Sequence, residues 1–175
     1  MATKKSLWVL LNILFIVGLV LGSTIQAEAQ EQKTMKYKFY TWVVKAETVP
    51  VDDVEGHNVA LQVRGSFVVY ENGEVATARA VVSSDRMKLS SQFMQYSTTT
   101  FEDGSTISSK TQGTREGGVG GWTTEIIKGT GRFEGIKGTV TTKAKYLPLE
   151  KGEAGTKGYG EGTMTYTVPS KGFLK

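Results

Sequence analysis

From Tyr37 onward, apolar and polar positions alternate with a period of two, and no stretch keeps the spacing of an amphipathic helix. Turn signals recur roughly every ten to fifteen residues, the punctuation of an all-β chain. Eight strands are predicted: Tyr37–Lys45, Val59–Tyr70, Val75–Ser84, Lys88–Phe101, Ser105–Arg115, Trp122–Lys128, Gly138–Leu147 and Lys157–Val168. Pro50, Pro148 and Pro169 fall outside these runs or at their ends, where a missing backbone donor does no harm.

Two turns suggest a register. Asn72-Gly73 suits a two-residue type I′ hairpin, which needs positive φ at both positions. That turn pairs Val69 with Ala76, Phe67 with Ala78, Gly65 with Ala80 and Val63 with Val82, and one face becomes wholly apolar. A slip by one residue would exchange the faces. Asp103-Gly104 sets a second hairpin in the same way, with Tyr96 against Thr111, Met94 against Gly113 and Phe93 against Thr114. Its strands are so rich in Ser and Thr that this part of the wall is polar on both sides. In the last strand Gly158, Gly160, Gly162, Met164 and Tyr166 share the inner face, where the glycines leave room for a bulge, a corner or a neighbour's side chain.

The stretch Ile126–Tyr146 reads IIKGTGRFEGIKGTVTTKAKY: a strand end, a turn with Phe133 among four glycines, then another strand. It resembles the G-[ST]-G-x-F-x-x-x-x-G segment of allene oxide cyclases and dirigent proteins. The hairpin before it, from Phe93 through Gln95-Tyr96 and Phe101–Ser105 to Gln112-Gly113, is similar to the one in the cyclase family. The resemblance implies a closed eight-stranded antiparallel β-barrel, allene oxide cyclase-like or calycin-like, with Phe133 plugging one end. It also implies an interior where allene oxide cyclases close a ring on a fatty-acid epoxide, assisted by a carboxylate. No acid precedes Glu47 in the first strand here, so that carboxylate has no counterpart in this strand.

The N-terminus reads differently. Lys4 and Lys5 precede an apolar run from Leu7 to Gly22, and Ala27-Glu28-Ala29 is a small-x-small cleavage site. Residues 1–29 are therefore expected to be a secretory signal peptide and residues 30–175 a single barrel domain, secreted or periplasmic. An uncleaved anchor is the rival, but the run is short for a span and contains Asn12. With no cysteine, the domain has no disulfides and must rest on its core. The net charge of +4 is mild, and no basic run interleaves with aromatics, so nucleic acid is not an expected partner. The only membrane contact expected is through an uncleaved signal. A lipid-facing barrel would need an apolar exterior on every strand, which the hydroxyl-rich hairpin cannot supply.

Candidate chemistry is sparse. His57, the single histidine, follows Asp52, Asp53 and Glu55 in what reads as a solvated acidic turn, so no metal site is expected. Gly129-Thr130-Gly131 lacks the third glycine of a dinucleotide loop, and no G-x-S-x-G elbow exists. No cofactor is expected. Glu125 is expected to face water while Trp122, Thr124 and Ile126 face inward.

The leading functional expectation is binding of a small apolar or amphipathic molecule in the lumen or mouth. The expected lining is Val63, Phe67, Val69, Val82, Met94, Tyr96, Tyr146, Met164 and Tyr166. Two alternatives stand beside it: an isomerase or cyclase that shapes a reactive ligand, and a filled barrel that forms a homo-oligomer through its outer face. An inward acid touching a void would favour the enzyme, and a lumen packed by Phe67, Tyr146 and Tyr166 would favour the third.

Overall fold

The computed structural model describes residues 31–88, 90–148 and 157–169; the expected signal peptide lies outside them. The eight strands are β1 (Lys33–Pro50), β2 (His57–Tyr70), β3 (Val75–Met87), β4 (Ser90–Phe101), β5 (Thr106–Glu116), β6 (Val119–Gly129), β7 (Lys137–Leu147) and β8 (Lys157–Thr167). Each pairs antiparallel with its sequence neighbours, and β8 returns to β1, so the sheet closes into a barrel. The expected fold class is therefore what the chain adopts. Closure leaves no edge strand to protect, which suits a sheet with no disulfides.

Both hairpin turns differ from the two-residue expectation. Tyr70 N–H donates to Glu74 O (2.9 Å) and Gly73 N–H to Tyr70 O (3.0 Å), while Phe101, Ser105 and Gly104 repeat the pattern at 3.0 Å each. Only the glycines are left-handed, Gly73 at φ +85° and Gly104 at φ +79°; neither Asn72 nor Asp103 has positive φ. These are three-residue loops, a type I turn closed by a left-handed glycine. The Asx side chains favour that form: Asn72 Oδ1 accepts from Glu74 N–H (3.1 Å) and Asp103 Oδ1 from Ser105 N–H (2.9 Å). One extra loop residue moves the register by one. Val69 pairs with Val75 and Val68 with Ala76; Tyr96 pairs with Lys110 and Phe93 with Gly113.

That shift decides which β2 face is inside. Gln62, Arg64, Ser66, Val68 and Tyr70 point inward, against Ala76, Ala78, Ala80, Val82 and Ser84 of β3. Val63, Phe67 and Val69 point outward. With Tyr40, Trp42, Val81, Met94, Tyr96 and Tyr159 they form an apolar outer face across β8–β1–β2–β3–β4. The opposite exterior is more polar, with Gln112, Thr123, Glu125, Thr141 and Lys143 exposed beside Val119 and Ile127 of β6. Glu125 faces water and Trp122, Thr124 and Ile126 face in, as their alternation suggests.

One end of the barrel is corked. A 3-10 turn, Gly131–Phe133, joins β6 to β7 and inserts the buried Phe133 ring beneath the strands. Gly131 (φ +64°) and Gly135 (φ +73°) supply the left-handed backbone that bends the chain around it. Phe133 lies 4.7 Å from Phe101 and 6.4 Å from Tyr166, ring centre to ring centre, and Phe101 stacks on Tyr70 at 5.3 Å. Val68, Ile107, Ile126, Ile136 and Val140 complete this floor. Arg132 ties it from outside: its guanidinium bonds the Glu74 carboxylate, lies 3.5 Å from Asp103 Oδ2 and covers Phe101 and Phe133 at 4.8 and 4.7 Å. Both hairpins and the cork are thus joined through one side chain.

Candidate functional site

Above the floor the interior is not filled. A cavity of about 130 Å³ runs along the lumen, bounded by inward residues of all eight strands. Small inner residues leave the space: Ala78 and Ala80 on β3, and Gly158 on β8. Gly158, Gly160 and Gly162 seat the rings of Tyr146, Phe39 and Tyr37 from neighbouring strands, the third of the uses expected for them.

The lining changes along the axis. Next to the floor it is apolar, with Val68, Ile107, Ile126, Val140 and Met164 around the Tyr70 ring. At the waist it is hydroxylic. Thr111 and Thr124 share a buried hydrogen bond of 2.7 Å, Ser97 and Ser109 a part-buried one of 2.8 Å, and the Tyr37 hydroxyl lies 3.5 Å from Thr142 Oγ1. Burial pushes the phenols of Tyr37 and Tyr70 above their ordinary range, so both stay neutral at physiological pH.

At the end away from Phe133 the character changes again. Arg64 and Arg115 project inward and are only 6% and 7% exposed, with Arg86 alongside. Arg64 Nε and Nη2 donate to Gln62 Oε1 at 3.1 and 2.7 Å, and Nη1 to the Tyr146 hydroxyl at 3.4 Å. Arg115 is caged by rings: its guanidinium carbon stands 3.9 Å from the Phe93 centroid, 5.3 Å from Tyr146 and 5.9 Å from Trp122. Burial, reinforced by the like charges of Arg64 and Arg86, pulls Arg115 down to about 10, against an opposing contribution from Tyr146. It still carries its charge at neutral pH.

Of the expected lining, Tyr146 and Met164 border the cavity. Tyr166 is in the floor, and Val82 is fully buried in a second cluster with Ala80 and Phe93. The other five stand on the outer wall. Phe67 is 46% exposed and Val69 42%, and Val63 shares their face. Met94 and Tyr96 are exposed because Phe93, Gln95 and Ser97 take the inner positions of β4. The one-residue change at the two turns accounts for the β2 members. On β4 the apolar and hydroxylic residues are mixed on both faces, so the side chains carry little orientation signal.

Arg64, Arg86 and Arg115 were not anticipated as interior residues. In the observed register Arg64 faces Ala80 directly, and the run of inner alanines on β3 leaves volume for long partners. His57 is also more organised than a solvated turn. Its Nδ1 lies 2.7 Å from Asp53 Oδ1 and its Nε2 2.8 Å from Asp85 Oδ1, bridging the β1–β2 connection to β3. No cluster of potential metal ligands occurs among the described residues.

No family model and no curated protein matches the chain. Solved structures do. The pterocarpan synthase dirigent protein GePTS1 is 16% identical with a TM-score of 0.50, over 84% of this chain and 98% of that one. The pterocarpan synthase dirigent protein PsPTS1 is 14% identical with a TM-score of 0.48, over 80% and 97%. A nonspecific heme-binding cyclase that catalyzes a cycloaddition during neoabyssomicin biosynthesis is 16% identical with a TM-score of 0.45, over 90% and 77%. At such identities the GePTS1 likeness concerns the fold alone: the chain has a barrel of dirigent type, as its glycine segment implied.

Proposed function

We propose that this protein is an exported barrel that binds a small apolar or amphipathic molecule in its lumen. The observation that carries this reading is the cavity of about 130 Å³ bounded by residues of all eight strands. Voids larger than a water molecule are few in protein interiors, and an eight-stranded barrel is just wide enough to hold one small ligand. The lining supports an amphipathic guest, because apolar residues sit at the floor and hydroxyls at the waist.

Two features favour binding over the alternatives. Among the described residues no carboxylate lines the cavity, which favours binding over an isomerase or cyclase that relies on an inward acid. A filled structural barrel is disfavoured by the void itself and by Phe67, which lies outside it. The apolar outer face from Tyr159 to Tyr96 supports a homo-oligomer as a separate proposal, and sedimentation of the purified protein checks it.

Export is proposed from the basic, apolar and small-x-small order of residues 1–29. N-terminal sequencing of protein from its own host tests it, with Gln30 as the expected first residue. Native mass spectrometry of the same material tests binding. A retained small molecule is expected, and a mass equal to the bare chain in every preparation would count against the reading.

A further inference from the structure

The arginine end of the lumen holds positive charge without an answer. Among the described residues no Asp or Glu borders the cavity, and Glu74, the most covered of them, is engaged by Arg132 at the far end. The partners of Arg64 and Arg86 are neutral: Gln62, Tyr146 and, for Arg86 Nε, Ser84 Oγ at 3.2 Å. Among the described residues Arg115 is faced by the rings of Phe93, Tyr146 and Trp122 and by the like charges of Arg64 and Arg86, and its Nε is buried with no hydrogen-bond partner. A buried guanidinium with no counter-charge and an unused donor is strongly unfavourable by itself.

We propose that Arg115 and Arg64 are the anion-recognition site for the lumen guest, and that this guest is a compact, oxygenated carboxylate. The inference rests on the lumen-binding reading and names the ligand class. The unused donor is on the Nε edge of Arg115, while Phe93 lies against the guanidinium and Tyr146 and Trp122 flank it. Arg115 and Arg64 both line the cavity, and a guanidinium that meets it can take a planar carboxylate through two parallel hydrogen bonds. Cavity size limits the rest of the guest. An apolar cavity of about 150 Å³ accepts benzene, so 130 Å³ corresponds to roughly one ring. The hydroxyls of Ser97, Ser109, Thr111 and Thr124 face that volume and suit oxygen substituents better than a long acyl chain.

Calorimetric titration of the full chain tests this with four probes: 4-hydroxybenzoate, its neutral counterpart 4-hydroxybenzyl alcohol, dodecanoate and inorganic phosphate. The benzoate is expected to bind at least about tenfold more tightly than the alcohol, the size of one charge-assisted hydrogen bond. R115Q and R64Q are expected to abolish that preference while still binding the alcohol. Equal affinity for the two, or a preference that survives R115Q, would overturn the anion site and leave lumen binding standing. If neither aromatic probe nor dodecanoate binds, lumen binding fails as well. Dodecanoate binding as tightly as the benzoate would overturn the compact body, and phosphate doing so would overturn the carboxylate. Thermal melting without ligand gives an independent check. R115M removes an uncompensated charge and is expected to melt at or above the parent temperature; a clear fall would make Arg115 a structural residue and overturn the proposal. Glu150 and Glu153 lie outside the described residues. E150Q/E153Q should leave the benzoate affinity unchanged, and a marked gain would mean that the chain supplies its own counter-ion.

Discussion

The ring of Tyr37 on β1 fills the volume that a side chain would need at Gly162, its register partner on β8. A large residue and an absent one are matched across the β1–β8 seam that closes the barrel, and Phe39 at Gly160 repeats the match. Gly162→Ala is expected to cost about 1–3 kcal/mol, the usual penalty for overpacking. Glu161→Ala, one residue away and outward, is expected to stay within about 0.5 kcal/mol of the parent. Urea unfolding of the two variants measures the contrast, and equal stabilities would contradict the packing described.

The three-residue hairpin loops make an asymmetric prediction. At Asn72-Gly73 only the glycine is left-handed. Gly73→Ala should therefore lose about 1–2 kcal/mol from backbone strain. Asn72→Ala gives up a single exposed hydrogen bond, worth about 0.5–1.5 kcal/mol. A type I′ turn would be left-handed at both positions, and its preference for Asn over Ala would then include backbone strain. Chemical denaturation of both variants decides, with the larger loss expected for Gly73→Ala.

His57, held between Asp53 and Asp85, gives stability a pH signature. Its hydrogen bonds, first to Asp53 and then to Asp85, raise its pKa above the ordinary 6.5. The stabilisation is complete below that value and is lost as pH rises through the higher folded value. Asp53 is shifted down from 3.8, chiefly by the bond from His57, so its contribution is present above 3.8 and is lost as pH falls through the lower folded value. Melting temperature should be flat and highest between those limits and decline on the alkaline side of 6.5. His57→Gln should abolish that decline up to about pH 9, before lysine and tyrosine titrate. A parent profile with no alkaline fall would contradict the bridge.

Thr111 and Thr124 offer a coupling test. Their 2.7 Å bond is buried in the lumen wall. Either Thr→Val change alone strands the other hydroxyl, at a cost of about 1–3 kcal/mol. The double variant removes both and should be less destabilised than the sum of the singles. Strict additivity in thermal unfolding would mean that the two hydroxyls do not depend on each other.

Strand number, class and the corked end are legible in the chain because each rests on local chemistry: period-two alternation, turn residues, and an aromatic flanked by glycines. The orientation of β2 is not. Asn-Gly by pattern favours a two-residue type I′ turn, whereas here the loop has three residues and Asn72 Oδ1 accepts from Glu74 N–H. That single residue reverses a strand whose faces are both rich in apolar side chains, Phe67 and Val69 on one and Val68 and Tyr70 on the other. Hydrophobicity alone could not separate them. On β3, where Ala76, Ala78, Ala80 and Val82 oppose Thr77, Arg79 and Ser83, the inner face was recognisable from pattern. The interior arginines were hidden for the converse reason, since an isolated charged residue on a strand is ordinarily read as solvent-facing.

Phe133 and its partners make the barrel a vial rather than a pipe. With the base sealed, the guest proposed above would have to arrive and depart at the neck, past the Arg64 and Arg115 guanidinium groups. A guest bound as proposed would enter with its uncharged portion leading and its acidic end trailing. Residence time would then be governed at the neck, by how slowly that trailing group is released, and much less by what the base touches.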